Sequence, residues 1–383
     1  MQEKILNQLK ANEKEMFSLL SQMVKIPSVS GNEAELAKFI NDYCLKLGFD
    51  SKIDSHGNVI AIVKGKRPGK RLAFNSHLDT VGIGEGWTRD PYSGEIEGDR
   101  LYGRGSSDCK APMAAQIIAA KTLKELDVDF AGEIVLSYPV EEEVQNVSRK
   151  GTYKMIQDGF TADMCINGED TDLRVCLACE GMLEVKVTTI GLRSHAVTSY
   201  KGRNAIKMMC RFMKELETLK PGYNKYTGNG SITPCVIHAG ERSSVVPDRC
   251  ELLVSRFTVP GETGAMFFAE ITEIIDRLKK EDPTFDAVAE LTYDSNPSIV
   301  DEDSPVVQAI VKAHQALGLD CPFMGTPQHD DADFLTNMAH IPTVIYGPGT
   351  GEMAHMPDEY VLLDEVITSA KVYALATYEA LKS

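Results

Sequence analysis

The histidines, aspartates and glutamates that could do chemistry in this sequence stand where apolar runs end or helices begin. The stretch RLAFNSHLDTVG, residues 71–82, closes on His77 and Asp79. Residues two apart on a strand point to one side, so this pair shares a face at the strand's C-terminal end. A metal-bound histidine usually donates its other ring N–H to a carboxylate, and Asp79 could be that partner. LYGRGSSDCKAPMAA, residues 101–115, sets Asp108 after a glycine turn and just ahead of a helix. EIVLSYPV runs straight into Glu141, Glu142 and Glu143, three carboxylates that repel one another unless cations or solvent compensate. Another apolar strand ends on Glu169 and Asp170, and His355 lies in the glycine-rich loop of YGPGTGEMAHMPDEYV. Singly, such residues read as a solvated histidine, a helix cap and a surface charge run. Gathered on one sheet edge, they make a nitrogen- and oxygen-rich site suited to Zn²⁺ and tolerant of Mn²⁺ or Co²⁺. Five ligands would serve two metals if one carboxylate bridged them.

Such an edge needs a sheet to carry it. NVIAIVK (58–64), RLAFNS (71–76) and EIVLSYPV (133–140) are short apolar or β-branched runs, while PMAAQIIAAKTLKEL (112–126) is helical. Ser30 and Glu33 have capping-box spacing ahead of Leu36, Phe39, Ile40 and Tyr43. The alternation predicts an α/β layer structure with buried strands, whose ligands collect at the strands' carboxyl ends. Near residue 182 the texture changes. LEVKVTTIG alternates with period two, and the elements that follow run β-α-β-β-α-β, the ferredoxin-like pattern. We therefore expect a discontinuous catalytic domain, 1–181 and 296–383, with an inserted α+β domain at 182–295.

Composition narrows the function. With 383 residues, 43% hydrophobic and 25% charged, the chain is long enough for two or three domains with real cores. A net charge of -16 without a basic block argues against nucleic acid. No apolar run reaches the ~18 residues of a membrane span, and the start, MQEKILNQLKANEKEM, is charged where a secretory signal is hydrophobic. A cytoplasmic location without membrane contact is expected. Nine scattered cysteines, an odd number, read as reduced thiols, and the close pair Cys176 and Cys179 lacks the second pair of a zinc ribbon.

The motifs SHLDTV, GRGSSDCKAPMAA, EEE, NGED, GLRSHAV with GRNAI, VVPDRCEL, RFTVPGET and GPGTGEMAHMPDEYV span nearly the whole chain in order. They resemble the zinc metallopeptidases and deacylases that include acetylornithine deacetylase, succinyl-diaminopimelate desuccinylase, carboxypeptidase G and related dipeptidases. The resemblance implies a zinc-exopeptidase-like α/β/α catalytic domain and a ferredoxin-like lid that dimerises. It implies two Zn²⁺ per subunit, with Co²⁺ or Mn²⁺ able to substitute. His77, Asp108 and Glu169 would hold one metal and Asp108, Glu143 and His355 the other. Glu142 would be the general base, Asp79 would orient His77, and His195 would reach the partner subunit's site as oxyanion donor. Arg256 and the backbone of Gly347 and Gly349 would bind a substrate carboxylate.

Some positions depart from the family pattern. Ser244 stands where asparagine is usual, Asp170 replaces a proline after Glu169, and QHDDADFL differs from the usual run around Asp331. These departures bear on substrate rather than on metal. The reading is amide hydrolysis in a small N-acyl amino acid, with a dipeptidase, a carboxypeptidase or a hydrolase of ureido or carbamoyl amino acids as the alternative. A degenerate binding protein would have lost some of these residues. A two-metal phosphoesterase acting on nucleic acid would favour a basic surface.

Overall fold

The computed structural model describes residues 1–144 and 150–382, which divide into two compact units. The first takes Met1–Ala178, Ile299–Gly325 and the chain from Asp330 onward. The second takes Cys179–Ser298 with Thr326–His329.

The first unit is built on a mixed sheet whose strands run in the order Asp50–Ile53, Val59–Lys64, Ala131–Tyr138, Arg67–Asn75, Met164–Asn167, Thr343–Ile345, Val175–Cys179 and Ser298–Ile299. Its middle is parallel: Arg67–Asn75 lies between Ala131–Tyr138 and Met164–Asn167, and Thr343–Ile345 extends the same set. Leu72, Ala73, Phe74, Ile134, Val135 and Leu136 are all buried, as strands covered on both faces require. Helix Lys110–Glu125 is buried on every side as far as Leu123, and it packs against helices Gln2–Val24 and Leu363–Leu381.

The register does the positioning. Asn75 stands level with Ser137 and with Asn167, and Asn167 with Ile345, so four parallel strands end side by side. His77, the Glu141–Glu143 run, Glu169 and the loop after Ile345 all leave from that one edge.

In the second unit a four-stranded antiparallel sheet has the order Ser231–Ala239, Arg249–Thr258, Gly181–Ile190, Ala287–Ser295, the ferredoxin-like arrangement. Its inward residues, among them Val185, Val187, Leu252 and Val254, share one core with Met209 and Phe212 of helix Ala205–Leu216 and Ile271 of helix Gly264–Glu281. Ser231–Ala239 is an edge strand exposed along most of its length.

The structure departs from the sequence reading at the N-terminus. Helix Ala34–Lys46 begins after Glu33, so Ser30 and Glu33 belong to the preceding loop and form no capping box. Glu33 instead accepts the N–H groups of Gly31 and Glu141, and Ser30 donates its hydroxyl to Asp79. Among the described residues no helix is long and apolar enough to cross a membrane.

Candidate metal centre

Asp108 sits between two clusters. Its Oδ1 lies 3.0 Å from His77 Nε2, while its Oδ2 lies 3.3 Å from His355 Nε2. Glu169 comes within 3.9 Å of His77 on the first side. Glu143 comes within 3.0 Å of His355 on the second. The ligand atoms of His77, Asp108, Cys109 and Glu169 form one group with every separation under 4.8 Å, and those of Asp108, Glu143 and His355 form another. The five residues expected to hold metal are therefore brought together, with one carboxylate offering a separate oxygen to each cluster.

The electrostatics suit cations. Among the described residues the carboxylates of Glu142 and Glu169 accept no hydrogen bond, and burial, joined by neighbouring acids, pushes both well above the usual range. Burial also works to raise Asp108, yet the imidazoles of His355 and His77 hold it far below the ordinary value. Contacts with Asp108 and Glu143 lift His355 to about 10. Carboxylates left without donors in a closed site are costly unless positive charge is supplied, and divalent metal supplies it. The residues present fit that group.

The neighbours of these candidate ligands are specific. His77 Nδ1 donates to the backbone carbonyl of Asp79 at 2.9 Å, which leaves Nε2 to face the cluster. The Asp79 carboxylate stands farther off, 3.5 Å from Nδ1. That carboxylate instead accepts the N–H of Glu142 and of Glu143, each at 3.0 Å, and the Ser30 hydroxyl at 2.7 Å. The three consecutive glutamates divide their work: Glu141 turns to Lys150, Glu143 meets His355, and Glu142 is left between them.

Sequence reasoning missed a second support. Glu359 is fully buried and accepts the Arg104 guanidinium at 2.7 Å, together with the backbone N–H groups of Gly105 and Ser107. Arg104 also donates to the carbonyl of His355. One ion pair thus ties the Asp108 turn to the His355 loop across some 250 residues of sequence. At the strand ends, Asn75 bridges Asn167 and Asp331, while Asn167 donates to Asp330. The double aspartate was noted in the sequence only as a departure.

The expected substrate groups are already engaged. The Gly347 N–H donates to Thr171 Oγ1 and the Gly349 N–H to Glu365, so neither is free for a substrate carboxylate. Close packing accounts for the glycines: a Cβ at 347 would lie 2.3 Å from the Glu169 carbonyl, and one at 349 would meet Ser107. Arg256, in the second unit, is buried and paired with Glu262 and Glu270. His195, in the same unit, is exposed, and its Nδ1 accepts the Val197 N–H at 3.1 Å. The ring proton is then left on Nε2.

A family model described as peptidase family M20/M25/M40 matches residues 73–379. The chain belongs to this family. It is thus a hydrolase of the M20 metallopeptidase and amidohydrolase group. This M20 chain is 30% identical to the uncharacterized protein YgeY of Escherichia coli, over 97% of this chain and 95% of that protein. It is 28% identical to the N-formyl-4-amino-5-aminomethyl-2-methylpyrimidine deformylase of Bacillus subtilis, over 93% of this chain and 91% of that one. Among solved structures it resembles the Bacillus subtilis YXEP protein, described as a dinuclear metal binding peptidase from the M20 family. The TM-score is 0.79 at 16% identity, over 97% of this chain and 99% of that one.

Proposed function

We propose that this M20 chain is a cytoplasmic two-zinc hydrolase that removes the acyl group from a small N-acyl amino acid, of the acetylornithine deacetylase or succinyl-diaminopimelate desuccinylase type. The observation that carries the reading is Asp108, whose two oxygens serve separate clusters while Glu142 stands beside them without a hydrogen-bond donor. His77, Asp108 and Glu169 would hold one ion, and Asp108, Glu143 and His355 the other. Bound there, two divalent ions would acidify a water molecule and polarise the amide carbonyl.

The rest falls to the chain's own residues. Glu142, raised by burial, takes the proton from the attacking water and returns it to the leaving amine. Asp79 holds the backbone of Glu142 and Glu143 in place, and its carbonyl fixes the His77 ring. His195, with its proton on Nε2, donates to the oxyanion in the partner subunit's site, a contact worth about 3–4 kcal/mol. Arg256 meets the substrate carboxylate by exchanging Glu270, the more exposed of its two partners.

The deformylase relative supports deacylation, since its name describes removal of an acyl group from nitrogen. A location in the reducing cytoplasm is supported by nine cysteines, all free. The structural neighbour, described as a peptidase, favours a second reading, release of an amino acid from a short peptide. N-acetyl amino acids, N-succinyl amino acids and dipeptides assayed in parallel separate the two. Deacylation of an N-acyl amino acid is expected, and turnover of dipeptides alone would overturn it.

A further inference from the structure

We propose that Glu33 is a positioning residue for the proposed base Glu142, acting through the backbone N–H of Glu141. The proposal rests on the functional reading above and leaves the metal ligands as they stand. Beyond the end of the strand Ala131–Tyr138, four consecutive backbone N–H groups are accepted by side chains. Val140 donates to Asn58 Oδ1 at 2.9 Å and Glu141 to Glu33 Oε1 at 3.2 Å. Glu142 and Glu143 donate to the two oxygens of Asp79, each at 3.0 Å. Asn58, Glu33 and Asp79 come from three separate stretches of chain, and all are buried. The loop that carries Glu33 serves this run a second time, because its Ser30 donates to Asp79.

Conformation makes the Glu141 link the demanding one. Glu141 has φ +57°, in the left-handed region that residues with a Cβ rarely adopt. Such a residue keeps its conformation only when its surroundings hold it there. That turn sets where the next two side chains, Glu142 and Glu143, leave the backbone. Lys150 also pairs with Glu141, but this lysine is exposed, and pairs of that kind contribute little.

Ordinary loop anchoring is the rival explanation. Glu33 Oε1 also accepts the Gly31 N–H at 2.8 Å, a local contact of the kind many loops make. Local anchoring does not explain the second bond, which crosses 108 residues of sequence. Nor does it explain a carboxylate set close to that of Asp79, an arrangement that burial and like charge both oppose.

Turnover of N-acetyl amino acids, N-succinyl amino acids and dipeptides is measured for the wild type, Glu33→Ala, Glu33→Asp and Glu33→Gln. Zinc content and thermal midpoint are taken on each preparation, and kcat and KM on the fastest wild-type substrate. The expected result is kcat lowered about tenfold or more in Glu33→Ala and in Glu33→Asp, whose carboxylate falls short by a methylene, with KM and zinc content unchanged. Glu33→Gln, whose amide oxygen still accepts, stays within about threefold of the wild type. Wild-type kcat in folded Glu33→Ala, whatever its thermal midpoint, would reduce Glu33 to a loop anchor and overturn the proposal while leaving the functional reading intact. A kcat that falls only in step with zinc content, or Glu33→Gln as slow as Glu33→Ala, would overturn it too. If Glu33→Ala fails to fold, Glu33→Asp and Glu33→Gln decide by the same comparison. A wild type that turns over nothing in the panel, or a fully active Glu142→Ala, would sink the functional reading and this proposal together.

Discussion

At the scale of single residues, the candidate site depends on what surrounds its metal-ligating side chains, Asp79 above all. Asp79 is two residues from His77 in sequence, yet its carboxylate spends its hydrogen bonds on Glu142, Glu143 and Ser30. Its closest link to the histidine is the backbone carbonyl, with the carboxylate farther off at 3.5 Å from the same nitrogen. Replacing Asp79 with Asn sets an NH₂ group against a backbone N–H and weakens hydrogen bonds to a charged acceptor. The expected cost is roughly 1.5–3 kcal/mol of stability. Turnover falls at least tenfold with it, because the Glu142–Glu143 backbone is no longer pinned. Thermal unfolding and kcat measured on one preparation check both, and a variant with wild-type kcat would show that the pinning is dispensable.

At the scale of elements, four parallel strands ending level explain why segments far apart in sequence converge. Part of this was legible. Apolar runs marked the strands, period-two alternation marked Gly181–Ile190, and the acids and histidines at run ends marked the edge. Other features were hidden for physical reasons. Helix Gln2–Val24 passed unnoticed because its exposed face is densely charged, and the Ser30 and Glu33 spacing imitated a cap while serving a loop. Arg104 and Glu359 act through partners that only folding supplies, and no local pattern announces such contacts.

Glu180, which leads into the strand Gly181–Ile190, gives a pH prediction at this scale. Burial, then the charge of Glu262, pushes its pKa up to about 7. A carboxyl group raised on folding lends stability at low pH, fully present below its unfolded value near 4.5 and lost as the pH rises through about 7. Glu180→Gln should therefore gain roughly 1–3 kcal/mol on the wild type at pH 8 and little at pH 4. Denaturant unfolding at the two pH values measures it, and an equal effect at both would contradict the assignment.

At the scale of the whole molecule, the inserted domain carries a prediction about assembly. The edge strand Ser231–Ala239 leaves Val236 and Ile237 exposed, and Val197 and Tyr200 stand almost bare beside His195. Sheet edges of this kind invite pairing with another chain, and a twofold dimer closes on itself. Light scattering should give twice the chain mass of 42.1 kDa. Ile237→Lys should shift the protein toward monomer and lower kcat with it. A monomer of full activity would remove both the dimer and the role of His195 across subunits.

The central claim is that Asp108 joins two metal sites served by Glu142. It is tested most directly by metal content, measured by mass spectrometry on the wild type and on Glu142→Ala, with turnover of an N-acyl amino acid in the same preparations. The account predicts two zinc ions per chain in both proteins and turnover in the wild type alone. Wild-type protein that turns over without metal, or Glu142→Ala that turns over as fast as the wild type, would contradict it.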